Sequence, residues 1–220
     1  MNLGKRLTAI FNMVPLGSVV ADVGSDHGKL IISLFENCVI SKGYAIENKK
    51  GPYNRLVKAL EEAKIIDNVV PLFSDGITDL PEAVNTVVIA GMGGNTIVDI
   101  LKKNRSKLKN VETIIVDAHN SIPFMREEIS KLGYIIADEQ MVEEDGTYYE
   151  IVKFRVGNIA IYGDKDLEFG PILRMEKSPL FKQKYQNRLD EIDKLLKKHS
   201  LPESRINELN IEKEKIRGVL

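Results

Sequence analysis

The chain of 220 residues has no tryptophan, one cysteine and no apolar run near the roughly 20 residues a membrane span requires. A single thiol, Cys38, excludes an internal disulfide and a cysteine-based zinc site. It points to a reducing, cytoplasmic compartment, and Cys38 itself reads as a buried apolar filler. The opening Met1-Asn2-Leu3-Gly4-Lys5-Arg6 leads into polar-interrupted sequence rather than a signal core, so no export is expected. Net charge is nearly absent too: 31 basic against 32 acidic residues leave −1. That balance excludes neither a nucleic-acid partner nor a small molecule, so the distribution of charge must decide. The length suits one α/β domain of roughly 150 to 200 residues with a small appendage.

What is present is an alternation of apolar strands and amphipathic helices. Leu3, Leu7, Ile10, Phe11 and Val14 recur at helical spacing before Pro15. Strands are then expected over 18–23, 42–46, 69–73, 86–90, 113–116, 134–141 and 148–156, with helices over 29–37, 53–64, 95–101 and 123–132. Near-continuous apolar strands between helices imply a parallel sheet covered on both faces. The turn at Asp145-Gly146 is too short for a crossover, so one of the last two strands must run antiparallel. This is the layout of a class I methyltransferase: a Rossmann-like, doubly wound α/β sheet of seven strands with an antiparallel strand near one edge. A simple nicotinamide dehydrogenase would instead continue with another crossover helix and a parallel strand.

From about Ser178 the pattern changes. Phe181, Tyr185, Leu189, Ile192 and Leu196 fall three or four apart, and after Ser200-Leu201-Pro202 a second helix carries Ile206, Leu209, Ile216 and Leu220. Two helices joined by a short turn make a C-terminal antiparallel coiled-coil hairpin, giving expected domains of 1–173 and 174–220.

In an open α/β sheet, ligands bind at the carboxyl ends of the strands. The first strand runs into Asp22-Val23-Gly24-Ser25-Asp26-His27-Gly28, which resembles a dinucleotide-binding turn but has a carboxylate where a second glycine belongs. A carboxylate repels a pyrophosphate and suits a cationic or neutral ligand. S-adenosylmethionine, with a sulfonium, an ammonium and no phosphate, fits that charge. Glu47, 25 residues after Asp22, stands where an acidic side chain accepts hydrogen bonds from a ribose diol. Asp75 before Gly76 reads either as an ordinary turn or as an acceptor for an adenine amino group. After Ala90 at the end of the fourth strand, the turn Gly91-Met92-Gly93-Gly94 lets backbone close on a ligand or substrate, or is simply a flexible strand-to-helix turn.

Asp26 reads either as the N-cap of the next helix or as a carboxylate beside the methyl donor, able to pair with an ammonium or take a proton. His27 is either a ligand contact or a structural hydrogen-bonder, and His119 and Asn120 face the same rim as candidate base contacts. Lys102, Lys103, Arg105, Lys107 and Lys109 follow one another without an intervening acid. The first two complement a helix C-terminus, but five exceed that need. From Arg174 onward there are 12 basic and 8 acidic residues, against 19 and 24 in the remainder. The hairpin and the basic loop are therefore the candidate nucleic-acid surfaces.

Taken together, the Gly-Lys-Arg-Leu opening, Ser25-Asp26-His27, Glu47 with Gly51-Pro52-Tyr53, Ser74-Asp75-Gly76, Gly91-Met92-Gly93-Gly94, Glu143-Glu144-Asp145-Gly146, Phe169-Gly170-Pro171 and Glu176-Lys177-Ser178-Pro179 resemble the bacterial tRNA adenine-22 N1-methyltransferase family. The resemblance covers nearly the whole chain. It implies S-adenosylmethionine as donor, tRNA as substrate, and a C-terminal module that helps hold the tRNA. Asp22, Gly24, Ser25, Asp26, His27, Glu47, Asp75, Gly76, Ala90, Gly91 and Met92 are the expected donor site. Asp26 is the expected catalytic carboxylate, and Lys29, His119, Asn120, Lys102, Lys103, Arg105 and Lys107 are the expected substrate contacts. A monomer without a metal is expected. Two stretches depart from the family pattern. Gly28-Lys29-Leu30-Ile31 replaces the usual Ala-Tyr-Leu-Pro, exchanging an aromatic contact for a charge, and Asp117-Ala118-His119-Asn120 replaces the usual turn after the fifth strand. A methyltransferase acting on another RNA or a small molecule, and a noncatalytic RNA-binding protein of the same fold, are the competing readings.

Overall fold

The computed structural model describes residues 3–158, 160–197 and 201–220; Met1 and Asn2 of the opening, and Ser200 of the expected hairpin turn, lie outside the described residues. The chain divides into two compact units, Met1–Ile161 and Tyr162–Leu220.

The first unit opens with α1 (Lys5–Met13), which buries Ala9, Ile10 and Met13, one stripe of the amphipathic pattern. Then β1 (Ser18–Val23), α2 (Lys29–Glu36), β2 (Ile40–Glu47), α3 (Lys50–Glu62), β3 (Val69–Phe73), β4 (Thr86–Met92) and α4 (Gly94–Lys103) follow. A 3₁₀ helix (Arg105–Asn110), β5 (Thr113–Ala118), α5 (Ile122–Lys131), β6 (Tyr134–Glu144) and β7 (Thr147–Val156) complete it. The expected basic loop is thus that 3₁₀ helix, anchored by Leu108 while its charged side chains face solvent.

The seven strands lie in the order β3-β2-β1-β4-β5-β7-β6. The first five are mutually parallel, and β7 runs antiparallel to both β5 and β6. The hairpin turn makes β6 and β7 antiparallel neighbours, and β7 lies between β5 and the edge strand β6. Strand order reverses between β1 and β4, so a crevice opens at their carboxyl ends.

The central strands read as unbroken apolar runs because both faces are covered. Val20, Val88 and Ile115 pack with Ile10, Leu30, Ile31, Leu34, Leu56 and Leu60, all at most 3% exposed. Each such side chain contributes about 1.5–3 kcal/mol relative to exposure. A polar lock sits at the other side of the sheet. Fully buried Arg126 on α5 donates from Nε to Glu139 on β6 at 2.8 Å and from Nη2 to Glu150 on β7 at 2.7 Å. Desolvation pushes the guanidinium pKa down, but the two carboxylates outweigh it and the net shift is upward.

Cys38 is exposed rather than buried. It sits at φ 57° just past α2, where its N–H donates to Phe35 O at 2.9 Å and that of Val39 donates to Leu34 O at 2.9 Å. The residue that turns the chain out of a helix in the left-handed region points into solvent, and spacing alone does not reveal that.

The second unit contains α6 (Asp164–Phe169), α7 (Pro171–Glu176), α8 (Pro179–Leu196) and α9 (Glu203–Arg217). Ser178 caps α8, accepting from the Phe181 N–H at 3.2 Å, and Pro179 occupies its first turn. Phe181, Tyr185, Leu189 and Ile192 of α8 and Leu209 and Ile216 of α9 are buried, and Arg188 grips Glu212 through two bonds of 2.6 and 3.0 Å. Among the described residues no helix is long and apolar enough to cross a membrane.

Candidate functional site

The turn after β1 is built from unusual backbone. Gly24 stands at φ 78°, and its N–H donates to Ile46 O at 2.9 Å. A Cβ there would lie 2.6 Å from the Met92 methyl, so a side chain would fill the space over the β1 and β4 ends. Asp26 is left-handed as well, at φ 40°, which is costly for a non-glycine residue. Its N–H donates to Glu47 Oε1 at 2.6 Å, fixing the turn to the end of β2. Its carboxylate accepts from Arg55 Nη2 of α3 at 2.8 Å, while the other oxygen lies 3.7 Å from His27 Nε2. The helix-cap alternative for Asp26 falls here, because Gly28 at φ 65° occupies the N-cap of α2 and no side chain caps that helix.

Asp22 lies beneath this turn, 5% exposed, and accepts from Ser25 Oγ at 2.7 Å. Its carboxyl is pushed up to about 6, chiefly by burial, with the Ser25 bond pulling it down and the Glu47 charge adding to the rise. The site therefore contains a carboxylate whose charge is poorly solvated. A cation placed beside it would favour its ionised form.

Two cavities adjoin at the turn, with Gly24 and Asp26 lining both. The larger, about 490 Å³, runs along the ends of β1, β2, β3 and β4. Glu47, Asp75, Gly76, Met92 and Lys103 line it, together with Asn48, Arg55 and Asp99. Its size falls within the range of small-molecule sites. Asp75 accepts from Asn48 Nδ2 at 3.1 Å, and a Cβ on Gly76, at φ 60°, would approach Ile100 to 2.9 Å. The smaller cavity, about 220 Å³, is lined by Asp22, Ser25, His27, Lys29 and Ala90, with Arg6 and Leu7 from α1.

Gly91, His119 and Asn120 line neither cavity. Gly91 and His119 border the smaller one through Arg6: a Cβ on Gly91 would lie 3.5 Å from Arg6 Nη1 and 3.7 Å from His119 Nε2. Asn120 is tied to the start of α4, its Oδ1 and backbone oxygen accepting from the Gly94 N–H at 3.3 and 3.1 Å. Lys102 pairs with Glu128 of α5, whose carboxyl is lowered chiefly by its bonds to Lys102 and Lys131. Arg105, Lys107 and Lys109 are exposed on the 3₁₀ helix. The five-residue basic run thus divides into a pairing residue, a cavity residue and a solvent-facing face.

Several residues escape the sequence reading. Arg55 meets Asp26 across 29 positions, a pairing that only the β2–α3 crossover creates. Arg6 lies on the polar side of a helix legible mainly by its apolar stripe; the Gly-Lys-Arg-Leu opening is the one signal for it. Asp117 lies inside an otherwise apolar strand and is fully buried.

Residues 20–218 match the family model for TrmK, tRNA (adenine(22)-N(1))-methyltransferase. A curated Bacillus subtilis tRNA (adenine(22)-N(1))-methyltransferase is 30% identical over 201 residues, spanning 86% of this chain and 82% of the relative. The crystal structure of Streptococcus pneumoniae Sp1610, a candidate tRNA (m1A22) methyltransferase, superposes with a TM-score of 0.92 at 32% identity, covering all of both chains. The same protein in complex with S-adenosyl-L-methionine gives 0.91 at 32% identity, again over the full length of both. With a family model spanning nearly its whole length, the chain belongs to the tRNA (adenine(22)-N(1))-methyltransferase family.

Proposed function

We propose that this chain transfers the methyl group of S-adenosylmethionine to N1 of adenine 22 in tRNA. The observation that carries this reading is the pair of adjoining cavities at the strand ends, a larger one walled by Glu47 and Asp75 and a smaller one meeting it at Asp26. The residues fit the donor. The close approach that glycine allows at positions 24 and 76, the buried Asp22 and the volume of the larger cavity suit a cationic, phosphate-free nucleoside.

When bound, the donor supplies an electrophilic methyl on its sulfonium, and the lone pair of adenine N1 takes it directly. Glu47 accepts from the ribose hydroxyls, and Asp75 accepts from the adenine amino group of the donor. The turn from Gly24 to His27 holds the junction where donor and target base meet. Asp26, hydrogen-bonded by Arg55, stands at that junction and stabilises the positive charge the methylated base acquires. It is placed to take the proton of the exocyclic amine. Lys29, which lines the smaller cavity, and His119 and Asn120, which lie outside both cavities, contact the splayed nucleotide as it enters.

The C-terminal segment 174–220, appended to the catalytic domain 1–173, works in this reading as an antiparallel coiled-coil arm. The arm and, by itself, the basic 3₁₀ helix are the two surfaces that bind tRNA in this reading. The enzyme acts in the cytoplasm as a monomer, and no metal is needed because N1 is already nucleophilic. The test is incubation with isotopically labelled donor and unmodified tRNA transcripts, followed by nuclease digestion and mass spectrometry. Label on N1 of adenine 22 is expected. Label on another nucleotide, or binding of tRNA without transfer, would overturn the reading.

A further inference from the structure

Two aromatic side chains at the β3 edge of the sheet line neither cavity. Phe73, the last residue of β3, is 57% exposed, and Tyr53 near the start of α3 meets its ring edge-on, with centroids 5.4 Å apart at 68°. A single exposed apolar side chain is ordinary and carries no meaning alone. Phe73, however, pairs in register with Glu47 and immediately precedes Ser74 and Asp75, all three of which line the larger cavity. An edge-on neighbour steadies an aromatic ring without covering both of its faces.

The helix beside this pair carries charge of one sign for most of its length. From Asn48 to Leu60 the chain holds Lys49, Lys50, Arg55 and Lys58 and no acid. Arg55 is engaged by Asp26, and Lys58 lies 3.7 Å from Glu62. Lys49 and Lys50 are exposed and form no ion pair among the described residues. They stand at the start of α3, about one turn before Tyr53. Asp75, the acid that follows Phe73, faces the cavity and accepts from Asn48 at 3.1 Å.

We infer that Phe73, steadied by Tyr53, stacks an unpaired nucleobase of the tRNA beside the donor cavity, with Lys49 and Lys50 on the adjoining phosphates. The inference rests on tRNA being the substrate, as proposed above, and adds a contact outside both cavities. An open ring face stacks any base, and the neighbouring ammonium groups follow the backbone. The base is an unpaired one, because bases within a duplex already stack on one another. β3 lies two strands from β1, about 10 Å from the turn where donor and target meet, so a single RNA reaches both places. A protein is the weaker occupant, since lysine is depleted at protein interfaces. Pro71 also takes a hydrogen-bond donor out of this five-residue edge strand, which blunts pairing with a strand of a second copy.

Filter binding of an unmodified tRNA transcript, with calorimetry of S-adenosylmethionine alongside, tests this. Phe73→Leu keeps an apolar side chain but loses the ring face, so tRNA affinity falls about 5- to 100-fold while donor affinity holds. Phe73→Tyr keeps the ring and stays near wild type. Lys50→Gln lowers the log–log salt slope of tRNA binding by about 1. Unchanged donor affinity also reports that each variant is folded. Wild-type tRNA affinity in Phe73→Leu, an equal loss in Phe73→Tyr, an unchanged slope in Lys50→Gln, or donor binding that falls in step with tRNA binding overturns the inference. So does a wild-type dimer, seen by sedimentation, that Phe73→Leu dissociates without changing tRNA affinity. A wild-type protein that binds no tRNA sinks the substrate assignment as well, whereas an undisturbed Phe73→Leu sinks this inference alone.

Discussion

Asp22 makes the most demanding prediction, because its environment links protein stability and donor binding to the same proton. Its carboxyl is raised from 3.8 to about 6 by burial, opposed by the Ser25 bond and reinforced by Glu47. A carboxyl whose folded pKa exceeds its unfolded pKa binds its proton more tightly in the folded state. Its contribution to stability is therefore fully present below the unfolded value of 3.8 and is lost as pH rises through about 6. A shift of about 2 units corresponds to about 3 kcal/mol. Asp22→Asn keeps an acceptor for Ser25 Oγ and removes the titration. Without ligand, the difference in unfolding free energy between variant and wild type should grow in the variant's favour by up to about 3 kcal/mol between pH 4 and pH 7.

Denaturant unfolding of both proteins across that range measures the difference directly, since groups that titrate alike in both cancel. The donor reverses the sign. A cationic ligand beside Asp22 favours the ionised form, so wild-type affinity for S-adenosylmethionine should fall as pH drops below 6, approaching tenfold per unit. The variant should bind weakly with a flat profile. If Asp22→Asn and wild type show parallel stability curves, the burial argument is wrong. If they diverge while wild-type donor affinity stays flat, Asp22 is a buried acid with no part in binding.

Other positions make sharper, narrower predictions. Asp26→Ala should abolish turnover while leaving tRNA affinity nearly intact in a filter-binding assay; near-wild-type turnover would remove Asp26 from the chemistry. Gly24→Ala forces a side chain into φ 78° with its Cβ 2.6 Å from Met92, so calorimetry should show loss of donor binding together with a lower melting temperature. Arg126→Met leaves Glu139 and Glu150 buried without their cation and should cost about 3–5 kcal/mol in urea unfolding. Converting all three carboxyl-bearing or basic members of that lock to apolar residues of similar volume should recover much of this loss. Reversing the charge of Arg105, Lys107 and Lys109 should lower the salt dependence of tRNA binding by about 2 to 3 in the log–log slope while donor affinity stays constant.

The sheet was legible because its signals are local. An apolar strand between helices is buried on both faces whichever neighbour it finds, so the positions of β1, β3 and β4 follow from β1's Ser18–Val23 run and its counterparts. The Asp145-Gly146 turn, with both residues at positive φ, forced one antiparallel strand before any pairing was visible. Where the reading failed, a backbone conformation had intervened. Cys38 looked like core by residue type and is exposed because the chain leaves α2 there in the left-handed region. Of the two readings of Asp26 only the cap falls, because the helix begins after Gly28 and the carboxylate turns toward Arg55.

The site divides along the same line. Gly24, Glu47, Asp75 and Met92 could be found because each stands at a strand end, and strand ends are readable from one segment at a time. Arg6, Arg55 and Asp117 could not, since each matters through a partner that only the folded topology supplies. Asp117 is the clearest case. Within Thr113–Ala118 it resembles a polar interruption in a buried strand, a feature that weakens a strand assignment if it carries any meaning at all. Opposite Arg6 the same interruption acquires a reason, because a guanidinium at the mouth of a cavity keeps a single orientation only if a buried anion holds it. The pair between the first helix and the fifth strand is therefore silent in either segment alone and readable only where Arg6 Nη1 meets Asp117 Oδ2 at 2.6 Å.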